Sequence, residues 1–327
     1  MSIKLDRSKL LGALGKWVDL HALRGYIAPL PVGLTEDPAA NVFTHTYGLY
    51  WFLMFQYRDL LYMFYNHGIS GAPNLPKQVG LAKSRDGGLT WEVVNDAILS
   101  LGAPGAWDDN YIEAHSLVRI GNKWRLYYGG QDGTNWRIGF AEATNIEGPY
   151  TKYAGNPVFN LGASGQWDAG DVADPHVIWY RGRFHLYYAG EATAGTPPWK
   201  VGHATSLDGI SWTRDAANPV IDVASGTWRQ DTVVFGGVLI MPNGGLMAIC
   251  HGRNTTAPDS IPLGLFFSDD GSAWSEYPAN PILGGVGTGL KYVHPEIILD
   301  VDRILVFYSR ADLTGNPVRR AIVNLYP

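Results

Sequence analysis

Six titratable side chains stand at the beginnings of similar apolar segments in this 327-residue chain. They are Glu113, Asp171, Asp174, Asp231, His294 and Glu296. A charged group at the start of an apolar strand is costly to bury unless it faces a wet pocket. Two carboxyl groups facing each other across such a pocket can cleave a glycosidic bond, because one donates a proton to the leaving oxygen while the other activates water or attacks. The alternative for any single acid is that it caps a loop or pairs with a basic side chain.

Further polar and aromatic residues close to these segments are candidates for holding a substrate. The histidines are His45, His115, His176 and His294, and the basic residues are Arg229, Lys291 and Arg310. Trp136 and Trp199 lie outside the repeated pattern described next, so we predict that they stack on a ligand. His294 could serve as an acid, as a ligand-binding group or as the neighbour of an ion.

The segments belong to a repeat of roughly 60 residues. The sequence NKWRLYYGG at 122–130 recurs as GRFHLYYAG at 182–190, and weaker copies stand at 59–67, 245–252 and 303–310. Each copy holds about four short strands separated by turn signals, which is typical of one propeller blade. The repeat therefore predicts an all-β fold, a five-bladed β-propeller with four-stranded antiparallel blades.

The fifth copy is short, and an incomplete ring would expose sheet edges. We therefore predict two parts, an N-terminal closing segment at 1–40 and the propeller at 41–327. The missing strand would come from 18–20 or 26–28, and the apolar spacing at 10–18 predicts a short amphipathic helix.

Residues that recur in most copies serve the blade rather than the ligand. The turn SRDGGLTW at 84–91 has the form of an Asp-box, and its aspartate and glycine suit a tight turn. Trp107, Trp167 and Trp228 recur in register, so we expect them to brace their blades. Function is expected where the repeats differ.

The amino-acid composition indicates which classes of molecule the protein binds. The net charge of -5 and the lack of a Lys/Arg cluster argue against nucleic acid, and the 18 tyrosines and 12 tryptophans suit a carbohydrate. Cys250 is the only cysteine, and no HExxH motif is present, so no cofactor and no catalytic transition metal are expected. A calcium or other ion bound by carboxylates in the central channel of the propeller is kept as an alternative.

The cellular location is predicted from two features that the sequence does not contain. No apolar run is long enough for a membrane span, and the first twenty residues make a poor signal peptide. The expectation is a cytoplasmic protein without a membrane partner, with non-classical release or association with a virion as alternatives. The sequence does not indicate an oligomeric state.

Two blade-start motifs resemble those of a known family. Ile112-Glu113-Ala114 and Ala173-Asp174-Pro175-His176, each followed by a strand, a turn and Leu-Tyr-Tyr, resemble glycoside hydrolase family 43 and related furanosidase-type propellers. The resemblance covers most of the chain beyond about residue 41. It implies that Glu113 matches the family's general acid, and that Asp174 matches an Asp-Pro aspartate that serves as base or tunes the acid.

The chain also departs from the family pattern. The first copy has no Asp-Pro and offers His45, Tyr47 and Tyr50 instead, while His115 stands where the family has proline. In the fifth copy, His294-Pro295-Glu296 replaces Asp-Pro. The choice of base among Asp171, Asp174, Asp231 and Glu296 therefore stays open.

Three functions fit these observations. The first is a glycoside hydrolase, with furanosides as one substrate class. The second is a phosphorylase or transglycosidase, which would need a cationic pocket built from Arg229, Arg253, Lys291 and Arg310. The third is a non-catalytic carbohydrate-binding propeller, such as a receptor-binding module of a virion.

Overall fold

A computed structural model describes residues 35–36, 41–73, 75–241, 243–256, 258–300 and 303–324. Every regular element in these residues is a β-strand, and the strands form five antiparallel sheets of four strands each. The predicted all-β five-bladed propeller is confirmed. Across these residues, no helix is long and apolar enough to cross a bilayer.

The blades follow one another along the chain, and each starts with its innermost strand. Blade 1 contains β2 (Leu49–Tyr57), β3 (Leu60–His67), β4 (Gln78–Ser84) and β5 (Glu92–Ser100). Blade 2 contains β6 (Tyr111–Ile120), β7 (Lys123–Gln131), β8 (Trp136–Ala143) and β9 (Thr151–Lys152). Blade 3 contains β10 (Asp171–Tyr180), β11 (Arg183–Glu191), β12 (Lys200–Ser206) and β13 (Thr213–Arg214). Blade 4 contains β14 (Thr232–Ile240), β15 (Leu246–Arg253), β16 (Leu263–Ser268) and β17 (Ser275–Glu276). Blade 5 contains β18 (Tyr292–Asp300), β19 (Arg303–Arg310), β20 (Val318–Asn324) and β1 (Thr35–Glu36).

The fifth blade takes its outer strand from the other end of the chain. Thr35 is paired with Ile322, and Glu36 with Ala321, so β1 covers the edge that β20 would otherwise expose. The inner strands lie side by side in the order β2, β6, β10, β14 and β18, and β18 contacts β2 again. The strands predicted at 18–20 and 26–28 and the helix predicted at 10–18 lie outside the described residues.

Aromatic rings packed over glycines hold blades 1 to 4 together. Tyr188 of β11 covers Gly202 of β12, where a Cβ atom would come within 2.3 Å of the tyrosine ring. Trp167 stacks on Tyr188 with ring centroids 5.8 Å apart and also covers Gly190, where a Cβ atom would come within 2.7 Å. Glycine is therefore required in these strands because no larger residue leaves space for the ring.

The same arrangement recurs in the neighbouring blades. Trp107 stacks on Tyr128 at 5.4 Å, and Trp228 is 3% exposed and donates a hydrogen bond to Glu276 at 2.6 Å. All three recurrent tryptophans therefore pack within their blades.

The Asp-box-like turn at 84–91 and its counterpart at 206–212 are also structural, since an aspartate accepts backbone N–H bonds in both. Asp208 accepts hydrogen bonds from the backbone N–H groups of Ile210 and Ser211, both at 2.8 Å, and Ser206 donates to the same carboxylate. These backbone hydrogen bonds hold the pKa of Asp208 below its usual value.

Candidate active site

The starts of β6 and β10 bring two buried carboxyl groups together on neighbouring blades. Glu113 is 6% exposed and Asp174 is 9% exposed. His115 lies between them, with Nε2 at 3.5 Å from Glu113 Oε2 and at 3.5 Å from Asp174 Oδ1. One oxygen of each carboxyl group and one nitrogen of the imidazole all lie within 4.8 Å of one another.

Bulges in both strands aim these side chains. The pairing of β6 with β7 shifts between Ala114 and Ser116, and the pairing of β10 with β11 shifts between Ala173 and His176. Asp174 lies inside the second bulge with a φ of 53°, a conformation that costs a non-glycine residue energy and is typical of functional sites.

Hydrogen bonds between blades hold the two bulges in place. Asn66 of blade 1 accepts from the N–H of Ala114 at 2.9 Å and donates to its carbonyl at 3.4 Å. The Ser116 hydroxyl donates to the carbonyl of Pro175 at 2.7 Å and accepts from the N–H of Val177 at 3.0 Å. The backbone on both sides of the carboxyl pair is therefore fixed by its neighbours. Asn66 and Ser116 escaped the sequence analysis because their partners are distant in the chain.

Burial sets the protonation of the pair. It raises the pKa of Glu113 to about 8, so this carboxyl group keeps its proton at neutral pH. The pKa of Asp174 also rises well above its usual value, first through burial and then through the charges of Glu113 and Asp171. The pKa of His115 falls through burial, which leaves its imidazole neutral.

A second pair of acids lies in blade 3, close to Asp174. Asp171 and Glu191 face each other across β10 and β11. Asp171 accepts from the N–H groups of Trp136 at 2.7 Å and Gly195 at 3.3 Å. Burial and the neighbouring Asp171 raise the pKa of Glu191 to about 8. Glu191 was not predicted. It does depart from the repeat, since the second copy has Gln131 at the equivalent position.

Trp136 lies at the edge of this acidic group. Its ring is half-buried, stacks on Tyr111 with centroids 6.0 Å apart, and covers Gly129, the cross-strand partner of Glu113. The Nζ of Lys77 sits 4.3 Å above the Tyr111 ring. Trp136 is thus a half-exposed aromatic surface beside the two carboxyl pairs.

Four histidines surround one tryptophan in the middle of the propeller. Trp51 of β2 is 4% exposed. Its ring centroid lies 4.5 Å from that of His115, 6.3 Å from His176, 6.0 Å from His251 and 4.0 Å from His294. Burial lowers the pKa of all four imidazoles. Trp51 and His251 were not predicted, although neither residue type recurs at its position in the other copies.

The second predicted stacking residue packs against this centre. Trp199 is half-buried and contacts a small cluster formed by Trp51, Ala189 and Val234. His176 and His294, predicted to bind substrate, are likewise found around Trp51.

The other predicted acids have separate surroundings. Asp231 accepts hydrogen bonds from the N–H and the hydroxyl of Thr255 at 2.7 and 2.9 Å, and these bonds lower its pKa. Glu296 is 4% exposed and packs against Gly237, where a Cβ atom would lie 2.8 Å from its Oε2. Burial raises the pKa of Glu296. Neither acid belongs to the group formed by Glu113, His115 and Asp174.

The predicted basic residues are engaged in ion pairs. Arg229 donates to Glu276 at 2.8 Å, Lys291 donates to Asp259 at 2.9 Å, and Arg310 donates to Asp312 at 2.6 Å. Arg253 shares Asp259 with Lys291 at 3.0 Å.

His45 belongs to a separate cluster in blade 1. Its Nε2 lies 3.3 Å from Asp96 Oδ2, and the Tyr65 hydroxyl donates to the same carboxylate at 2.5 Å. The His67 ring lies near that of His45, tilted by 45° with centroids 4.1 Å apart. Both ring nitrogens of His67 face carbonyl oxygens, Nδ1 that of Gly68 at 2.6 Å and Nε2 that of Asp96 at 2.8 Å.

The five-bladed propeller fold is shared with solved glycoside hydrolases. No protein-family model matches the sequence, and no curated protein matches it. A thermostable family-43 glycoside hydrolase is 17% identical with a TM-score of 0.66, over 88% of this chain and 91% of that one.

Two further solved structures are similar to the same degree. One is reported for the GH130 family of mannoside phosphorylases, said to contain glycoside hydrolases that target β-1,2-mannosidic linkages in Candida mannan. It is 15% identical with a TM-score of 0.66, over 89% of this chain and 94% of that one. The other, a putative glycosidase from Bacteroides thetaiotaomicron, is 14% identical with a TM-score of 0.66, over 92% and 96%. At these identities the likeness establishes the five-bladed fold, and it agrees with the resemblance inferred from the blade-start motifs.

Proposed function

We propose that this protein is a glycoside hydrolase and that Glu113 and Asp174 act on the scissile bond. The observation that carries the proposal is the pair itself, two buried carboxyl groups from adjacent blades with oxygens within 4.8 Å of each other. Most acids avoid such burial, and two acids held close together are what glycosidic cleavage uses.

Glu113 is the proton donor. A carboxyl group with a pKa of about 8 is protonated at neutral pH, as a general acid must be before it protonates a leaving oxygen. The position is particular to blade 2. Glu113 pairs with the residue after Tyr128, and the corresponding positions in blades 3, 4 and 5 are Ala173, Val234 and Val293.

Asp174 is the second carboxyl group. Inverting enzymes keep their two carboxyl groups about 6.5–9.5 Å apart to hold a water molecule, and retaining enzymes keep them about 5–5.5 Å apart. The short distance between Glu113 and Asp174 therefore favours direct attack by Asp174 over activation of a water between them. Trp136 offers a stacking surface for the sugar ring.

The phosphorylase alternative receives less support. A phosphate acceptor needs unengaged positive charge, whereas Arg229, Arg253, Lys291 and Arg310 each already face a carboxylate. Inorganic phosphate would have to displace these partners.

The test is release of the aglycone from a panel of aryl pyranosides and furanosides, with and without phosphate. We expect hydrolysis by the wild type without phosphate. Glu113→Gln should lose about 10²–10⁴-fold in kcat on poor leaving groups and much less on activated ones. Glu147→Gln, the same change in a side chain that pairs with Lys83, is the matched control and should keep full activity.

Two results would contradict the proposal. Full activity of Glu113→Gln on a natural glycan would remove Glu113 from catalysis. Binding of sugars without any release would support the non-catalytic carbohydrate-binding propeller instead.

A further inference from the structure

Glu113, His115 and Asp174 each place one possible ligand atom within 4.8 Å of the other two. The two distances from His115 Nε2 are equal, 3.5 Å to Glu113 Oε2 and 3.5 Å to Asp174 Oδ1. A hydrogen bond between an imidazole and a carboxylate is normally about 2.7–3.2 Å long. The observed spacing is instead near the separation of roughly 3.3 Å between tetrahedral ligands that each lie about 2.0–2.1 Å from a zinc ion.

His115 is the second observation that points to a ligand. It is fully buried, and within the described ranges neither of its ring nitrogens has a hydrogen-bond partner. Leaving buried polar atoms unpaired is costly, so such atoms in a folded protein call for an explanation. Trp51 packs on the imidazole at 4.5 Å, and Nε2 faces the two carboxyl groups.

A second cluster of two histidines and an aspartate, in blade 1, has a histidine whose ring nitrogens are already hydrogen-bonded. His45, His67 and Asp96 also lie within reach of one another, but both nitrogens of His67 are already hydrogen-bonded to carbonyl oxygens. To bind an ion, a nitrogen of His67 would have to give up one of these two contacts. Blade 1 therefore does not provide an equivalent site.

We propose that Glu113, His115 and Asp174 bind one divalent transition-metal ion. One imidazole and two carboxylates suit Zn²⁺ or Mn²⁺, whereas Ca²⁺ requires six to eight oxygen ligands. Three protein ligands leave a coordination position for water, as in open zinc sites.

A metal ion and the catalytic proton cannot both be bound to Glu113. Metal binding needs Glu113 as a carboxylate, while proton donation needs it as an acid. Zn²⁺ is therefore expected to inhibit hydrolysis. This consequence rests on the proposed function, whereas the binding itself does not.

Calorimetric titration of the EDTA-dialysed full-length protein with ZnCl₂ tests the binding directly. The expected result is one ion per chain. Glu113→Gln and Asp174→Asn, which keep the side-chain volume, should each weaken binding at least about tenfold, and His115→Ala should do the same. Co²⁺ provides a second readout, because its visible absorption reports nitrogen and oxygen ligands without any activity.

His251→Ala is the matched control. His251 also packs near Trp51, at 6.0 Å, but among the described residues it is not grouped with the two carboxyl groups, so its loss should leave Zn²⁺ affinity unchanged. Melting curves for each variant show which ones fold, and the two isosteric variants keep the test decisive where an alanine variant does not fold.

The outcomes separate this inference from the proposed function. No Zn²⁺ binding below about 1 mM, or binding that survives all three ligand substitutions, would overturn the metal site even in an active hydrolase. Zn²⁺ binding that depends on the three ligands would support the site even in a protein that releases no sugar.

Discussion

Glu113 keeps its proton at neutral pH because burial raises its pKa. The group is an ordinary glutamic acid in the unfolded chain, with a pKa near 4.5, and its pKa is about 8 in the folded protein. Asp174 has a neighbouring acid as an additional cause, so the two groups titrate as a pair. Burial therefore raises the pKa of both groups, and because the two titrate together, the pair loses its protons in two separate steps.

The first prediction is a bell-shaped dependence of kcat/KM on pH. Activity should be lost as the pH rises through about 8, because Glu113 then gives up its proton. The acidic limb should lie above the usual range of an aspartate, because Asp174 must ionise and its pKa is raised. Initial rates from pH 4 to 10 on a substrate with a poor leaving group measure both limbs. An alkaline limb that is unchanged in Glu113→Gln would contradict the assignment.

The second prediction concerns stability. The folded protein holds the Glu113 proton more tightly than the unfolded chain does, so this group favours folding less and less as the pH rises from about 4.5 to 8, by about 1.4 kcal/mol per unit. Glu113→Gln has no such titration. We expect the variant to melt several degrees above the wild type at pH 8, and this difference should shrink at pH 5. Equal melting temperatures at both pH values would show that the carboxyl group is not buried as described.

The third prediction is the stereochemical outcome. If Asp174 attacks the anomeric carbon, the product should retain the anomeric configuration, because two inversions occur. Proton NMR of the first product formed decides this. Inversion would instead make Asp174 the group that tunes Glu113, and it would move the base to another carboxylate such as Asp171.

The bulges in β6 and β10 are the elements that create the site. They place Glu113, His115 and Asp174 between two inner strands, and Asn66 and Ser116 fix the backbone from the neighbouring blade. Rigid strands hold catalytic groups more precisely than loops do. The recurrent tryptophans Trp107, Trp167 and Trp228 have the complementary task, since they pack within blades 2, 3 and 4.

The fourth prediction separates these two roles. Ser116→Ala would leave the N–H of Val177 and the carbonyl of Pro175 without their bonds, at a cost of about 1–3 kcal/mol in the free energy of unfolding. It should also lower kcat, since the Asp174 bulge loses its anchor. Ser100→Ala, the same change at an exposed position in β5, should alter neither quantity. Denaturant titration and steady-state kinetics give the two numbers.

The fifth prediction compares two tryptophans. Trp167→Ala should cost about 2–3 kcal/mol of stability, because the ring, although half-buried like that of Trp136, packs on Tyr188 and over Gly190. Trp136→Ala should cost much less stability and should mainly raise KM, because its half-exposed ring lies beside the carboxyl pairs. The opposite pattern would exchange the two roles.

At the scale of the whole molecule, the repeat of roughly 60 residues was enough to predict five blades, because each blade needs its own glycines, aromatic residues and turns. The same comparison led to Glu113 and Asp174, which break the repeat. It missed Trp51, Asn66 and Glu191. Their importance comes from contacts between blades or strands, and such contacts are visible only when distant segments are brought together.

Ring closure by β1 gives one more expectation for the whole molecule. A chain without residues 1–40 should melt well below the full-length protein, since β20 would become an exposed edge. A chain that starts at residue 31 keeps Thr35–Glu36 and is the control. Differential scanning calorimetry measures both, and equal melting temperatures for all three chains would argue against a stabilising role of β1.

The pairing of β1 with β20 also dictates an order of events during translation. Thr35–Glu36 leaves the ribosome before any other described strand, and Val318–Asn324 leaves last. Blades 1 to 4 each contain strands made consecutively, so each has all its strands as soon as its own stretch of chain has emerged. The fifth blade is complete only once Val318–Asn324 has emerged, and until then β1 has no partner strand.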